Sequence, residues 1–380
     1  MKNIYRTVLA ISLIAMINIP QMVFAGNKDR SGQSAAAHLL INPWAGTRGW
    51  GGVGVSSTKG IQAMYTNVAG MAFTRKTEIA YTNTLYYVNS DMMFNGLGIV
   101  QSLGKDGFAG NIGVNVNILT NGDIPRTTVD QPDGGLGTYK FNALNLGLSY
   151  ARSFSDAVHA GATIKIINES TSNVSGTGFA IDLGVQYVAG RNDQFQLGVV
   201  MKNIGLPMKY KGNGMNIRGE GNKDRLDVLR SLLIPSEAAE MPSLLALGLS
   251  YDFLFGKKAS AETSSTGTTG KQRISRADAM HRITVAGAFT AFAYSRDQFS
   301  LGVEYSLMDY FQVRAGYVFE GGMYTSKTTT NNFGPNVGVS LLTPLSKKSV
   351  NPHSRLAIDY AYSFTEEYKG SHSIGVRLIL

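Results

Sequence analysis

From residue 78 to the end of the chain, apolar and polar residues alternate in long runs, and this pattern constrains the fold more than any other feature. In 299–307 every odd-numbered residue is Phe, Leu, Val, Tyr or Leu, and every even-numbered residue is Ser, Gly, Glu or Ser. Alternation of this kind has the period of a β-strand, whose successive side chains point to opposite faces. The chain therefore consists of strands that separate an apolar environment from a polar one.

Fourteen such segments follow one another along the chain. Strands of globular proteins average about 5–6 residues, whereas a strand tilted across a bilayer needs about 9–11. Most of these segments are longer than ten residues, and bacterial barrels have an even number of strands. The sequence therefore predicts an all-β fold, a 14-stranded antiparallel transmembrane β-barrel. The predicted strands are 78–88, 91–102, 108–119, 139–153, 156–167, 175–189, 193–203, 243–254, 281–294, 298–308, 310–319, 333–342, 354–365 and 371–380.

The two faces of these strands suit lipid on one side and a polar interior on the other. The apolar face is Leu, Ile, Val, Phe and Tyr. Single charges buried in a dry core would each cost several kcal/mol unless they were paired. A lumen that holds water or a polar plug avoids this cost, and we expect side chains of opposite charge to pair inside it. The charged residues of the polar face are Lys165, Asp182, Lys202, Glu304, Arg314, Asp359 and Arg377. In 281–294 the aromatic residues do not share a face, which indicates a bulge or an aromatic side chain inside the lumen.

Composition excludes several kinds of chemistry. The chain has no cysteine, so it has no disulfide, thiolate zinc site, iron–sulfur cluster or cysteine nucleophile. We find no paired carboxylates or Ser/His/Asp set, so we expect no enzymatic activity, no catalytic residues and no cofactor. The histidines lack the spacing of metal ligands, so we expect no metal site. They are His38, His159, His281, His353 and His372.

The N-terminus has the pattern of an export signal. Lys2 and Arg6 precede an uncharged stretch, and Val23-Phe24-Ala25 has small residues where a signal peptidase reads them. The sequence predicts a signal peptide in 1–25 and cleavage before Gly26. An exported chain does not meet nucleic acid, despite its net positive charge. Export and the strand pattern together predict an integral outer-membrane protein.

Residues 26–77 do not alternate, and the barrel is predicted to occupy 78–380. A barrel of this size has room for an interior segment. We predict that 26–77 forms a plug, or hatch, inside the barrel, with a periplasmic cap as the alternative. The candidate hatch residues are Trp44, Trp50, Asn67 and Gly70.

Three connections, 120–138, 204–242 and 320–332, are long and predicted to face outward. Within them, Asp224–Glu240 has helical spacing of leucines and is predicted to be an amphipathic helix. Such a helix would bind a partner or cargo, or pack on its own barrel rim. Its candidate contact residues are Leu226, Leu229, Leu232 and Leu233. The inward connection 256–279 is rich in Ser, Thr and Gly and is predicted to be a flexible linker.

Several stretches resemble a known family. Ala45–Ala72 resembles the start of FadL-like outer-membrane barrels, where a Gly-rich segment precedes an Asn-Pro-Ala-Gly element; here Asn67–Gly70 reads Asn-Val-Ala-Gly. Ser34–Ala36, Lys202–Tyr210 and Phe299–Tyr317 resemble the PorV/PorQ family of the type IX secretion system, and the last two stretches resemble its PorV branch more closely. The resemblance covers most of the chain after the signal peptide.

The resemblance implies a FadL-like barrel that acts in protein export by Bacteroidetes-type bacteria. The implied partners are a SprA/Sov-type translocon barrel, cargo proteins with type IX C-terminal signal domains, and a PorU-containing attachment complex. Outer-membrane lipid or lipopolysaccharide is a further implied partner. The alternative function is FadL-like transport of hydrophobic small molecules. A transporter would have an apolar pocket that leads to a gap or kink in the wall, whereas a secretion partner would have a sealed lumen and apolar outer loops.

Overall fold

The computed structural model describes residues 26, 28–104, 109–190, 192–220, 229–257, 279–323, 330, 332–345, 354–365 and 368–380. Fourteen long antiparallel strands form the wall of a barrel. The first seven are β1 (Thr77–Tyr86), β2 (Met92–Ser102), β3 (Asn111–Thr120), β4 (Asn142–Ser153), β5 (Val158–Ser170), β6 (Ser175–Ala189) and β7 (Phe195–Gly205). The others are β8 (Leu244–Lys257), β9 (Ala279–Phe292), β10 (Gln298–Leu307), β11 (Phe311–Glu320), β12 (Gly334–Pro344), β13 (Arg355–Ser363) and β14 (Ser371–Ile379).

The barrel is closed. Each strand pairs with its neighbours in the sequence, and β1 pairs with β14 through a register that runs from Glu78–Ile379 to Leu85–His372. Closure leaves no unpaired edge in the membrane, where an unsatisfied backbone group costs several kcal/mol. The predicted 14-stranded antiparallel barrel is confirmed, and all fourteen predicted strands are present.

Polarity of the two faces places the barrel in a membrane. On β8, Leu245, Leu247, Leu249, Tyr251 and Phe253 point outward, and each is 39–47 % exposed. The residues between them are buried in the lumen and include Gly248, Ser250 and Asp252. The same alternation recurs around the wall, as in outer-membrane barrels. The chain is therefore an integral outer-membrane protein.

The lengths of the connections orient the barrel. β1 begins and β14 ends at the same rim of the barrel. Three of the four longest connections lie at the opposite rim: 121–141, 206–243 and 321–333. Outer-membrane barrels have short periplasmic turns and longer extracellular loops. We therefore call the rim with these three loops the outer rim and the opposite one the periplasmic rim.

The segment before β1 passes through the whole lumen. Residues 26–42, which we call the strap, lie against the outer loops, where Arg30 pairs with Glu240. Residues 43–76, which we call the hatch, descend through the barrel to the start of β1. The helices of the hatch are short. Most hatch residues are buried, and their sequence has no one-sided apolar pattern that would support a longer helix. The helical turns of the strap and hatch are Lys28–Arg30, Ala37–Leu40, Ala45–Arg48, Val53–Val55, Gly60–Gln62, Ala63–Thr66 and Val68–Phe73.

Among the residues just described, no helix is both long enough and apolar enough to cross a bilayer.

The prediction of an amphipathic helix in Asp224–Glu240 is wrong for the described part of that segment. Leu229–Leu233 is a β-strand that pairs with Asn216–Glu220, with Asn216 opposite Leu233. Pro235 follows after Ile234, and the residue before a proline is disfavoured in helical conformation. Leu226 lies outside the described residues, as do 258–278, most of the predicted linker.

The aromatic residues of 281–294 do not share a face because two of them lie on opposite sides of β9 and the third lies beyond its end. Phe292 is the last residue of β9, and its side chain reaches the lumen. Phe289 is on the lipid-facing side, and Tyr294 lies beyond the strand, buried in the outer loop 293–297. A lumen-filling aromatic, rather than a bulge, therefore accounts for the pattern.

Candidate functional site

The hatch rests directly on the backbone of the barrel wall. Ten strands each present a glycine to the lumen where the hatch passes, and a Cβ atom at any of them would lie within 3.2 Å of a hatch atom. Several of these glycines are direct cross-strand neighbours, such as Gly161 with Gly184 and Gly302 with Gly316. We call this set the glycine girdle: Gly98, Gly113, Gly161, Gly184, Gly198, Gly248, Gly302, Gly316, Gly338 and Gly375.

Gly198 shows how close the approach is. A Cβ atom on Gly198 would lie 2.2 Å from the carbonyl oxygen of Val55 and 2.7 Å from Cα of Ser56. Both of these are main-chain atoms, which cannot turn away as the end of a side chain can. Protein interiors are packed at crystal density, so such an overlap forces the segments apart. Glycine makes up 44 of the 380 residues, which is well above its usual share of about 7 %. The girdle accounts for part of this excess.

Asn67 joins the hatch to two wall strands at once. Its Nδ2 donates to the carbonyl oxygens of Val55 at 2.9 Å, Val185 at 3.0 Å and Val199 at 3.4 Å. Val185 and Val199 are paired residues of β6 and β7. Asn67 Oδ1 accepts from the backbone N–H of Ala69, which caps the helical turn Val68–Phe73. One fully buried amide therefore fixes both the hatch and its contact with the wall.

The other predicted hatch residues also lie inside the barrel. Trp44 and Trp50 are buried, and they pack over Gly98 and Gly302 of the girdle. Gly70 lies within the hatch, where a Cβ would be 2.1 Å from the carbonyl oxygen of Thr58. The structure thus brings Trp44, Trp50, Asn67 and Gly70 into one plug. Of the leucines of the predicted outer site, the described Leu229, Leu232 and Leu233 lie elsewhere, at the outer rim.

The charged residues of the lumen pair along the wall. Lys165 Nζ is 2.6 Å from Asp182 Oδ2, and Arg377 Nε is 2.6 Å from Asp359 Oδ2. Glu304 binds Arg314 at 2.6 Å and also Arg282 at 3.0 Å. The predicted pairing of opposite charges occurs, but between neighbouring strands rather than across the lumen. Gln62 of the hatch donates to Asp359 at 3.3 Å, so the ladder of ion pairs also holds the hatch.

The wall is irregular at one place between β6 and β7. Lys202 and Asn203 of β7 together stand opposite Asp182 of β6, which makes a β-bulge. Asn203 has a φ of 58° and donates its backbone N–H to Asp182 Oδ1 at 2.8 Å, instead of to the sheet. Lys165 Nζ also donates to Asn203 Oδ1 at 2.7 Å. Polar side chains therefore fill the interruption in the ladder, and the wall is closed there.

Above the hatch, a chamber of about 180 Å³ opens toward the outer rim. Strap and hatch residues such as Ile41, Gly51 and Val55 form its floor. The outer halves of several strands form its sides, and part of the loop 321–333 reaches it. Its apolar lining includes Leu40, Ile41, Val55, Val200, Leu244, Phe292, Val318 and Phe364.

Two basic side chains, Lys202 and Arg48, border this chamber. Lys202 is buried at the bulge, and its Nζ lies 3.4 Å from the centre of the Tyr65 ring. Arg48 donates to Ser363 Oγ at 3.3 Å and to the carbonyl oxygen of Asn42 at 3.3 Å. Burial raises the pKa of the Tyr65 phenol, which stays neutral and donates to the carbonyl oxygen of Leu40 at 2.6 Å. The chamber therefore has a mainly apolar lining interrupted by polar side chains, with two basic side chains at its edge.

At the outer rim, the strands Asn216–Glu220 and Leu229–Leu233 form what we call the outer hairpin. Its aliphatic side chains are exposed: Ile217 at 49 %, Leu232 at 49 % and Leu233 at 66 %. Ile234, just after the hairpin, is also exposed, and its N–H donates to the carbonyl oxygen of Met215. An exposed apolar cluster of this kind often marks an interaction site.

Sequence reasoning missed both the girdle and the chamber. The signal for the girdle was present, since glycines recur at polar-face positions of successive strands. The chamber is lined by residues from 40 to 364, from many separate strands and loops, and only the closed barrel brings them together.

Comparison with known proteins identifies the fold. No family model matches the chain, and no curated protein matches it. Among solved structures, the TodX ΔS2S3 mutant, a monoaromatic hydrocarbon channel, matches with a TM-score of 0.50 and 12 % identity, over 87 % of this chain and 96 % of that one. The P. putida toluene transporter TodX matches with a TM-score of 0.49 and 12 % identity, over 89 % of this chain and 97 % of that one. A Pseudomonas aeruginosa FadL homologue matches with a TM-score of 0.42 and 12 % identity, over 88 % of this chain and 97 % of that one.

The likeness to TodX, together with the strand count, shows that the chain has the fold of FadL-like outer-membrane barrels. At this level of identity the likeness concerns the fold alone. Function has to be argued from the chamber and the outer rim.

Proposed function

We propose that this protein is a FadL-like outer-membrane channel for a hydrophobic small molecule, which it binds in the outward-facing chamber. The chamber itself carries the proposal, since it combines a mainly apolar lining with a position at the outer end of the lumen. Its volume is about 180 Å³, and an apolar cavity of about 150 Å³ is known to hold one benzene molecule. The solved structures with the same fold include a monoaromatic hydrocarbon channel, which supports a ligand of about one ring.

Binding is tested with the purified protein and toluene, a monoaromatic hydrocarbon, as the probe. We expect saturable toluene binding to wild type and at least tenfold weaker binding to Thr290→Trp, because Thr290 lines the chamber and an indole would fill it. Leu247→Trp is the matched control, since Leu247 of β8 faces lipid, and it should bind like wild type. Equal toluene binding by wild type and Thr290→Trp, or none by wild type, contradicts the channel function.

A second candidate function is a partner role in type IX secretion, and the outer hairpin favours it. Its exposed aliphatic side chains give the outer rim an apolar tip, and the hatch packs closely against the wall at the glycine girdle. These are the features expected of a barrel that binds a translocon, cargo signal domains and an attachment complex. The fold comparisons favour the channel over this role, because the matched structure of the same fold is a hydrocarbon channel.

The secretion role is tested by mild-detergent purification from the native outer membrane. If the hairpin binds a partner, a very large barrel protein or secreted proteins with a common C-terminal domain should co-purify with wild type. Leu232→Asp/Leu233→Asp should reduce that co-purification at least tenfold, because charges would enter the apolar tip. Val129→Asp, at a 98 % exposed position of the loop 121–141, is the control. Recovery of the barrel alone contradicts this role and leaves the channel function standing.

A further inference from the structure

The first described residue of the chain, Gly26, is bound at the outer rim. Its backbone nitrogen donates to Asp297 Oδ2 at 2.8 Å. Asp297 belongs to the outer loop 293–297 and is only 7 % exposed. Its other carboxylate oxygen accepts from the backbone N–H of Phe292 at 3.3 Å. A buried carboxylate is therefore oriented by the barrel and directed at the nitrogen of Gly26.

The space around Gly26 fits glycine and no larger residue. A Cβ there would lie 2.5 Å from the carbonyl oxygen of Ser295, 2.6 Å from Asp297 Oδ1 and 2.8 Å from the Asp297 backbone nitrogen. Two of these three atoms are main-chain atoms of the same loop. The loop 293–297 thus encloses the α-carbon of Gly26 as well as binding its nitrogen.

From Gly26 onward, the strap is attached to the outer rim at successive points. Arg30 pairs with Glu240 at 3.6 Å and stacks on the ring of Tyr294 at 4.4 Å. The N–H of Ala35 donates to the carbonyl oxygen of Glu240 at 2.9 Å. Further along, His38 Nδ1 is 3.1 Å from Glu169 Oε1 at the outer end of β5. The strap then forms the floor of the chamber at 40–42.

The sequence independently predicts that signal peptidase cuts before Gly26. Cleavage converts the backbone amide of Gly26 into a primary ammonium group at the same position. A hydrogen bond from an ammonium to a carboxylate is roughly twice as strong as one between neutral groups. Capture of an N-terminal amine in a fitted pocket is a recurring mode of peptide recognition.

We propose that Asp297 and the loop 293–297 form a binding site for the chain's own processed N-terminus, specific for an N-terminal glycine ammonium. Removal of the signal peptide then completes the attachment of the strap. The strap in turn holds the chamber floor, so processing of the chain and seating of the hatch are coupled.

The test measures how fast the N-terminal amine of the purified, processed protein is acylated. An N-hydroxysuccinimide ester is added in limiting amount at pH 7, and the N-terminal peptide is followed by mass spectrometry. An ammonium bound to Asp297 is protected, so acylation should be at least tenfold faster in Asp297→Asn than in wild type. Asp133→Asn, in the exposed loop 121–141, is the matched control and should behave like wild type.

Heat-modifiable mobility in gels shows whether each variant has folded its barrel. Where Asp297→Asn does not fold, Gly26→Ala serves in its place, because its methyl group cannot enter the site and its amine should be acylated at least tenfold faster. A mature chain that begins at a residue other than Gly26 overturns the proposal. Equal acylation rates in wild type and the folded variant overturn it as well.

Discussion

Replacing Gly198 by valine is expected to drive the hatch out of the barrel. The new side chain would overlap the main chain of Val55 and Ser56, with atoms as close as 2.2 Å at Cβ alone. Overpacking a tight core usually costs about 1–3 kcal/mol, and more where the backbone cannot move. The barrel strands remain paired around the whole ring, so the hatch, with its short helices, should give way first.

Limited trypsin digestion measures this displacement. Arg48 is buried in the seated hatch and should be cut in the Gly198→Val protein much faster than in wild type. Gly287→Val is the control, because Gly287 of β9 faces lipid, and a Cβ atom there would lie 3.4 Å from its nearest neighbour, Leu301 Cδ2, an ordinary contact. Slow cleavage at Arg48 in both variants would show that the hatch does not depend on contact with the girdle.

Replacing Glu304 by leucine is expected to cause the largest loss of barrel stability. Glu304 binds Arg314 and Arg282, and all three side chains are less than 10 % exposed. Removing one partner of a buried ion pair costs about 3–5 kcal/mol, because a buried charge is left uncompensated. Arg282 keeps Asp309 at 3.0 Å, so most of the penalty falls on Arg314.

The measurement is the urea concentration at which the heat-modifiable folded form is lost. Glu304→Leu should unfold at a clearly lower concentration than wild type, and Glu304→Gln, which keeps an acceptor oxygen, should fall between them. Glu237→Leu makes the same change at an exposed position of the loop 206–243 and should leave the midpoint unchanged. Equal midpoints for Glu304→Leu and Glu237→Leu would mean that the ion pairs add nothing to stability.

The sequence predicted the barrel well because its signal is local and repeated. Each strand must alternate to face lipid and lumen, so every strand carries its own pattern. Boundaries were less accurate where alternation continues into a loop: the strand predicted from 139 begins at Asn142, and the one predicted to end at 294 ends at Phe292. Nothing in a period-2 pattern shows where pairing stops.

The outer hairpin shows why the loops were harder to predict. The spacing of Leu229, Leu232 and Leu233 suits one face of a helix, but pairing with 216–220 decides the conformation. This pairing involves a second segment of the chain, so the spacing of the leucines alone cannot predict it. The chamber and the site around Asp297 depend in the same way on contacts between distant segments.

The passage of the hatch through a closed ring links the seating of the hatch to closure of the barrel. The ring closes only when β14, the last of the fourteen barrel strands in chain order, pairs with β1. The hatch precedes β1 in the chain and is enclosed by the finished wall, so a hatch in place when β14 pairs with β1 is surrounded at once. Pairings between distant parts of a chain form slowly. A chain whose seam closes first would form an empty barrel, which the hatch would then have to enter through one of the open ends.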